Sequence, residues 1–110
     1  MARRRRRVKG KEAVELAIAT LNEDALFCEE YREALIGAAY RGPEQKTVAV
    51  YDRDKCIELL IENDQMAHCE AVEYFEFNTE GSYVGPNTPL FVSSIDSSEI
   101  EAIIEDLGEQ

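Results

Sequence analysis

The sequence predicts a mainly helical α+β domain, with about five helices and a small two-stranded sheet. The first observation is the length of 110 residues, which supports one modest hydrophobic core. The second is the composition, 45% apolar and 32% charged, which is typical of a folded globular chain. The third is apolar spacing typical of helices along most of the chain, with only two short strand-like runs. Residues 11–110 are therefore predicted to form a single acidic globular domain.

Two helices are expected in the first part of this domain. Residues 11–21 have apolar side chains at the i, i+3, i+4, i+7 spacing of an amphipathic helix, namely Val14, Ala17, Ile18 and Leu21. Asp24 is expected to cap a second helix. Its apolar face would consist of Phe27, Tyr31, Ala34, Leu35 and Ala38. Gly42 and Pro43 are expected to end that helix, because glycine tolerates a left-handed terminus and proline cannot continue the helical hydrogen bonds.

The middle of the chain is expected to hold the best strand and two further helices. Residues 47–51 are short, β-branched and bounded by turn residues, which predicts a strand. Asp52 then caps a helix from about residue 53 to 62, whose buried stripe is Cys56, Ile57, Leu60 and Ile61. A helix over residues 66–77 follows. Phe75 is predicted to be buried against the preceding helix, and Phe77, about 200° further around the axis, beneath the turn at residues 81–85 or against the strands.

The last part of the chain is expected to contain a short strand, residues 90–92, and a final helix. Asp96 and Glu99 have capping-box spacing, with Asp in place of Ser or Thr. The helix that follows has a regular apolar stripe, Ile100, Ile103, Ile104 and Leu107, and ends at Gly108. The two strand segments are expected to pair if they form one sheet, and the pattern leaves the direction of pairing open.

Four segments of the chain resemble a known protein family. They are YDRDKCIELL at residues 51–60, EYFEFN at 73–78, GSYVG at 81–85 and TP at 88–89. The pattern is similar to that of a family of small uncharacterised bacterial and phage proteins, over roughly residues 34–92. This resemblance implies a bacterial or phage origin, and the family has no known activity that could be transferred to this chain. Gln65 and Ala67 stand where the family has a turn Gly and a helix-capping Ser or Thr. Loss of such a cap costs about 1 kcal/mol, so we expect a less sharply turned join between the two helices.

Charge is divided unevenly between the two ends of the chain. Residues 1–10 form an Arg-rich tail that is predicted to be disordered, because its like charges repel. From Glu12 onward the chain has five basic against 23 acidic residues, which leaves a formal charge of −18. Such a body disfavours contact between the fold and nucleic-acid phosphates, which need clustered Lys and Arg.

The residues that usually perform catalysis or bind metals form no recognisable constellation. Cys28, Cys56 and Cys69 are odd in number and lack CxxC spacing, which disfavours a disulfide framework or zinc site and favours a reducing cytoplasm. Cys56 and Cys69 are expected on apolar helix faces, and Cys28 near a helix start, where its pKa could be slightly lowered. His68 has no neighbouring nucleophile or orienting partner. We therefore predict no enzyme activity, no metal site and no cofactor.

Two functional hypotheses remain open. The first is a non-enzymatic protein-interaction domain that binds a basic protein surface, with a phage or mobile-element inhibitor as one example of such a function. Its partner-binding residues would be Asp52, Asp54, Glu73, Glu76 and Tyr83. Tyr83 lies between two glycines and is expected either to plug the core, the favoured reading, or to be an exposed anchor. The acidity is equally explained by solubility or salt adaptation.

The second hypothesis is a nucleic-acid-associated protein that uses its basic tail as an arm. The contacting residues would be Arg3, Arg4, Arg5, Arg6 and Arg7, and the affinity would be nonspecific and salt-sensitive. Homo-oligomerisation is left open by the sequence. No membrane partner is expected, because no apolar run approaches the roughly 18–20 residues that a spanning helix needs.

Overall fold

The computed structural model describes residues 10–43 and 45–108. In chain order its α-helices and strands are α1 (Gly10–Leu21), β1 (Leu35–Arg41), β2 (Lys46–Asp52), α2 (Arg53–Asp64), α3 (His68–Phe75), β3 (Leu90–Val92) and α4 (Ser97–Gly108). A 3₁₀-helical segment, Glu29–Ala34, precedes β1, and a π-helical turn, Glu76–Glu80, continues α3. The predicted α+β class, mainly helical with a small sheet, is confirmed. The predicted tail lies outside the described residues except for Gly10, which begins α1.

The sheet has three strands in the order β1-β2-β3, one more than predicted. β1 and β2 are antiparallel neighbours in a hairpin. β3 lies parallel to β2, with Val50 opposite Leu90 and Tyr51 opposite Phe91. The two strands expected from sequence therefore do pair, and α2 and α3 form the crossover that a parallel pair requires.

The extra strand replaces the helix expected after Asp24, so that prediction was wrong. β1 pairs with β2, for example Ala39 with Val48, with a register shift between Leu35 and Gly37. Leu35, opposite Tyr51, has no exposed surface. Gly42 opens the hairpin turn instead of ending a helix, since its carbonyl accepts from the amide of Gln45 at 3.1 Å. The helix-like spacing of residues 27–38 was overridden because the hairpin satisfies the backbone and buries Leu35 at the same time.

An aromatic cluster forms the centre of the core. The ring of Phe75 makes edge contacts with Tyr31 at 5.6 Å and with Phe91 at 5.2 Å between centroids. Phe91 stacks on Tyr51 at 5.5 Å. These contacts join α3, the 3₁₀ segment, β2 and β3. Phe75 has no exposed surface, which confirms its predicted burial, and the guanidinium of Arg53 on α2 lies 5.7 Å from its ring centre.

The join between α2 and α3 has the weak caps expected from its sequence. Gln65 ends α2 in the left-handed conformation, with φ 56°, which favours glycine. Ala67 precedes α3 and provides no side-chain cap. The core faces of the two helices, and not their ends, therefore stabilise this join.

α1 and α4 both have amphipathic sequences, but the apolar side chains of α1 are only partly buried and those of α4 are exposed. On α1, Ile18 is buried, whereas Leu21 is exposed. Every residue from 92 to 108 is exposed, so the apolar stripe of α4 has no cover in the described chain. The molecule is correspondingly elongated, with extents of 65 × 37 × 29 Å. No helix within residues 10–43 and 45–108 is long and apolar enough to cross a membrane.

We expect Phe75→Ala to lower the free energy of unfolding by about 3–5 kcal/mol, because it opens a cavity at the junction of four elements. Phe77→Ala is the matched control and should change it by less than about 0.5 kcal/mol, since its ring is exposed. Urea unfolding followed by circular dichroism measures both values. Similar losses for the two variants would contradict this description of the core.

Candidate functional site

An ion-pair network joins the start of α2 to the π-helical turn. Arg53 Nε donates to Glu80 Oε2 at 3.0 Å, and Arg53 Nη2 lies 3.4 Å from Glu76 Oε2. The hydrogen bond to Glu80 raises the pKa of Arg53, which keeps the guanidinium charged over the ring of Phe75. Of the predicted partner-binding residues, Glu76 belongs to this network. Glu80 belongs to it as well and was missed by the sequence analysis.

The remaining predicted carboxylates have different roles. Asp52 caps α2, as its sequence position indicated, because its Oδ1 accepts from the amides of Asp54 at 3.0 Å and Lys55 at 3.3 Å. This assigns Asp52 a structural role at the helix start. Asp54 and Glu73 are both exposed, and Asp54 Oδ1 accepts from the hydroxyl of Ser93 at 3.4 Å. Asp54, Glu73 and Glu76 are the three predicted acids left on the surface.

Tyr83 is an exposed residue and not a plug over the core, so the favoured reading was wrong. Its side chain is 59% exposed, and the guanidinium carbon of Arg41 lies 5.7 Å from its ring centre. Together with Glu80 and Thr88 it lines an open hollow of about 190 Å³. Tyr83 and Glu80 therefore share one concave surface, and none of the predicted acids lines it.

The loop that carries Tyr83 is closed by its own polar groups. The hydroxyl of Thr88 donates to the carbonyl of Gly85 at 2.6 Å and accepts from the amide of Val84 at 3.0 Å. Gly85 has a positive φ, 112°, which favours glycine. Gly81 has φ −75°. A Cβ on Gly81 would stand only 3.2 Å from the carbonyl oxygen of Phe77, so close backbone approach explains this glycine.

Phe77 is the most exposed large apolar side chain of the described residues, at 86%. It was predicted to pack beneath the loop or against the strands, and this prediction was wrong. Thr79 is anchored inward by the 3.2 Å hydrogen bond between its hydroxyl and that of Tyr31. Because Phe75 and Thr79 both face inward, Phe77, halfway between them, faces solvent. The angle of about 200° between the two Phe side chains was the sequence signal for this exposure.

The cysteines and His68 assemble no reactive site. Burial, reinforced by Glu30, raises the pKa of the Cys28 thiol above its usual range, which is opposite to the lowering considered from sequence. Burial raises the pKa of Cys56 to about 12. Cys69 is exposed, contrary to its expected place on an apolar face. Among the described residues, no three His, Cys, Asp or Glu side chains cluster in a way that could hold a metal ion.

Comparisons of this chain with known proteins found no similar protein at a significant level. No protein-family model matches the chain, and no curated protein or solved structure matches it significantly. The resemblance to small bacterial and phage proteins stays a prediction.

We expect the three thiols to differ sharply in their reactivity with a thiol-labelling reagent. Exposed Cys69 should label quickly near neutral pH, half-buried Cys28 slowly, and Cys56 only upon unfolding, because the reactive thiolate is disfavoured by burial. Since the pKa of Cys56 is higher in the folded state than its ordinary value of 9, its stabilising contribution is complete below pH 9. That contribution is lost as pH rises towards 12.

Mass spectrometry of labelled peptides over time measures these rates. Cys69→Ser is the control and should remove the fast phase alone. Rapid labelling of Cys56 in the folded protein would contradict its burial.

Proposed function

We propose that this chain is a non-enzymatic, acidic protein-interaction domain that binds a basic surface on a partner protein. The observation that supports it best is the position of Phe77, an aromatic side chain exposed on a π-helical turn. Large aromatics at the centre of an interface commonly provide most of its binding energy. Short π-helical turns are frequent at functional sites because they re-aim side chains out of the regular helix.

The carboxylates near Phe77 in sequence support a basic partner surface. Glu73 and Glu76 lie within one helical turn before it, and Glu80 follows three residues later. All three are exposed, and Arg53 is the cation that contacts two of them. The partner surface should therefore offer an apolar pocket for Phe77 with Lys or Arg around its rim. Complementary charge of this kind speeds association and sets specificity.

Two further features belong to the same proposal. A domain that covers a basic surface with an aromatic anchor suits an inhibitor, such as one encoded by a phage or mobile element. Cys28, Cys56 and Cys69 are all unpaired, which is typical of a reducing compartment and supports the proposal of a cytoplasmic location. Asp54 is an exposed acid in the first turn of α2, whereas Tyr83 belongs to the hollow that Glu80 also lines.

The decisive experiment compares capture of partners by the wild-type chain and by matched surface variants, followed by affinity measurement with the purified partner. Phe77→Ser should weaken binding about 30-fold or more, and Glu73→Lys with Glu76→Lys should slow association and reduce its salt dependence. Glu23→Lys, an exposed acid after α1, is the charge control and should leave the affinity nearly unchanged. A partner whose binding ignores Phe77, these acids and salt would refute the proposal.

The alternative proposal is nucleic-acid binding through Arg3–Arg7, and it is supported by the run of five consecutive arginines. These residues lie outside the described part of the chain. We expect any binding to DNA or RNA to weaken steeply with salt and to disappear upon deletion of residues 2–9. Fluorescence anisotropy with a labelled oligonucleotide measures both effects. Binding that survives the deletion would rule out the arm.

A further inference from the structure

Arg41, at the end of β1, is the arginine of residues 10–43 and 45–108 that forms no ion pair with a carboxylate of those residues. The other two, Arg32 and Arg53, are both paired. The half-buried guanidinium of Arg41 instead donates from Nη2 to the carbonyl of Thr88 at 2.7 Å, and its Nε is buried without a hydrogen-bond partner among the same residues. Because acids far outnumber bases in this body, a guanidinium without a carboxylate is an available group for binding an anion.

The hollow that Arg41 lines combines this cation with apolar surface. The guanidinium lies over the ring of Tyr83, and Pro89, Leu90 and Phe91 line the same space. Its volume is about 190 Å³. This is below the roughly 300–1,000 Å³ of sites for drug-sized ligands. The hollow therefore suits a small group, about one aliphatic side chain together with a carboxylate.

Glu80 lines the same hollow and restricts the charge of the anion that fits there. Its carboxylate is exposed and paired with Arg53 at 3.0 Å. A dianion such as phosphate would meet one guanidinium and be repelled by Glu80. A single carboxylate matches the planar guanidinium of Arg41, because the two groups can form parallel hydrogen bonds. The hollow therefore favours a monoanion with an apolar body over phosphate.

We propose that this hollow is a binding site for a small aliphatic carboxylate. The guanidinium of Arg41, held by the carbonyl of Thr88, binds the carboxylate, and the ring of Tyr83 with Phe91 contacts the aliphatic body. Two sources share this chemistry, a free carboxylic acid and the C-terminal residue of a peptide. The site uses neither Phe77 nor a basic partner surface, so this inference stands apart from the proposed function.

Chemical-shift titration of the full-length chain by NMR tests the site with four probes. 3-Methylbutanoate represents a free acid and N-acetyl-leucine a C-terminal residue. Both should shift the amides of Arg41 and residues 83–91, with a dissociation constant on the order of 1 mM for ligands of this size. N-acetyl-leucinamide, which lacks the carboxylate, and inorganic phosphate should bind at least about tenfold more weakly. The tighter of the two carboxylates identifies the source, and equal binding of the amide or of phosphate would overturn the proposal.

Matched variants assign the binding to these side chains. Arg41→Gln should weaken carboxylate binding about tenfold or more, and Tyr83→Ser, at an exposed position that should leave the fold intact, about threefold or more. Lys46→Gln is the charge control, since Lys46 pairs with Arg41 across the hairpin but does not line the hollow. Tyr40→Ser, an exposed tyrosine on the opposite face of β1, is the aromatic control. Both controls should change the affinity less than about twofold, and circular dichroism checks that each variant is folded. Binding that is unchanged in both site variants, or no shift with either carboxylate at about ten times the expected dissociation constant, would rule out the site.

Discussion

The burial of Phe75 between Tyr31 and Phe91 is the contact on which the rest of the structure depends. Its ring meets both partners edge-on, and through them it joins α3 to the 3₁₀ segment and to β3. Phe91 in turn stacks on Tyr51 of β2. Aromatic rings bury large apolar areas and add a directional preference, so one cluster determines how a helix lies on a three-stranded sheet.

This contact also determines which groups reach the surface. With Phe75 facing inward and Thr79 hydrogen-bonded to Tyr31, the intervening Phe77 points to solvent. The guanidinium of Arg53 lies over the Phe75 ring and connects it to Glu76. Phe77 and the acids beside it therefore lie on a segment whose opposite face packs into the core through Phe75 and Thr79.

The molecule separates its charges and its apolar surfaces in a consistent manner. The acids dominate α4 and the π-helical turn, whereas the described basic residues outside α2 lie around β1. Exposed apolar side chains accompany the acidic surfaces, namely Phe77 and the stripe of α4. Like charges keep copies of these surfaces apart.

The sequence by itself determined the features that depend on neighbours along the chain. These include the apolar face of α2, the cap that Asp52 forms on α2, and the burial of Phe75. They also include the cap expected of Asp96, whose Oδ1 accepts a hydrogen bond from the amide of Glu99 at 2.9 Å. Local spacing and capping chemistry suffice for such elements.

Only the tertiary structure decided what depends on distant partners. Residues 35–41 became a strand because β2 offered its edge, although their spacing also suited a helix. Phe77, Tyr83 and the stripe of α4 are exposed because no other element lies over them, and an apolar pattern does not show whether its cover is present. Burial depends on all the segments that meet at one place, which is why the sequence located the core and the structure revealed the candidate binding surfaces.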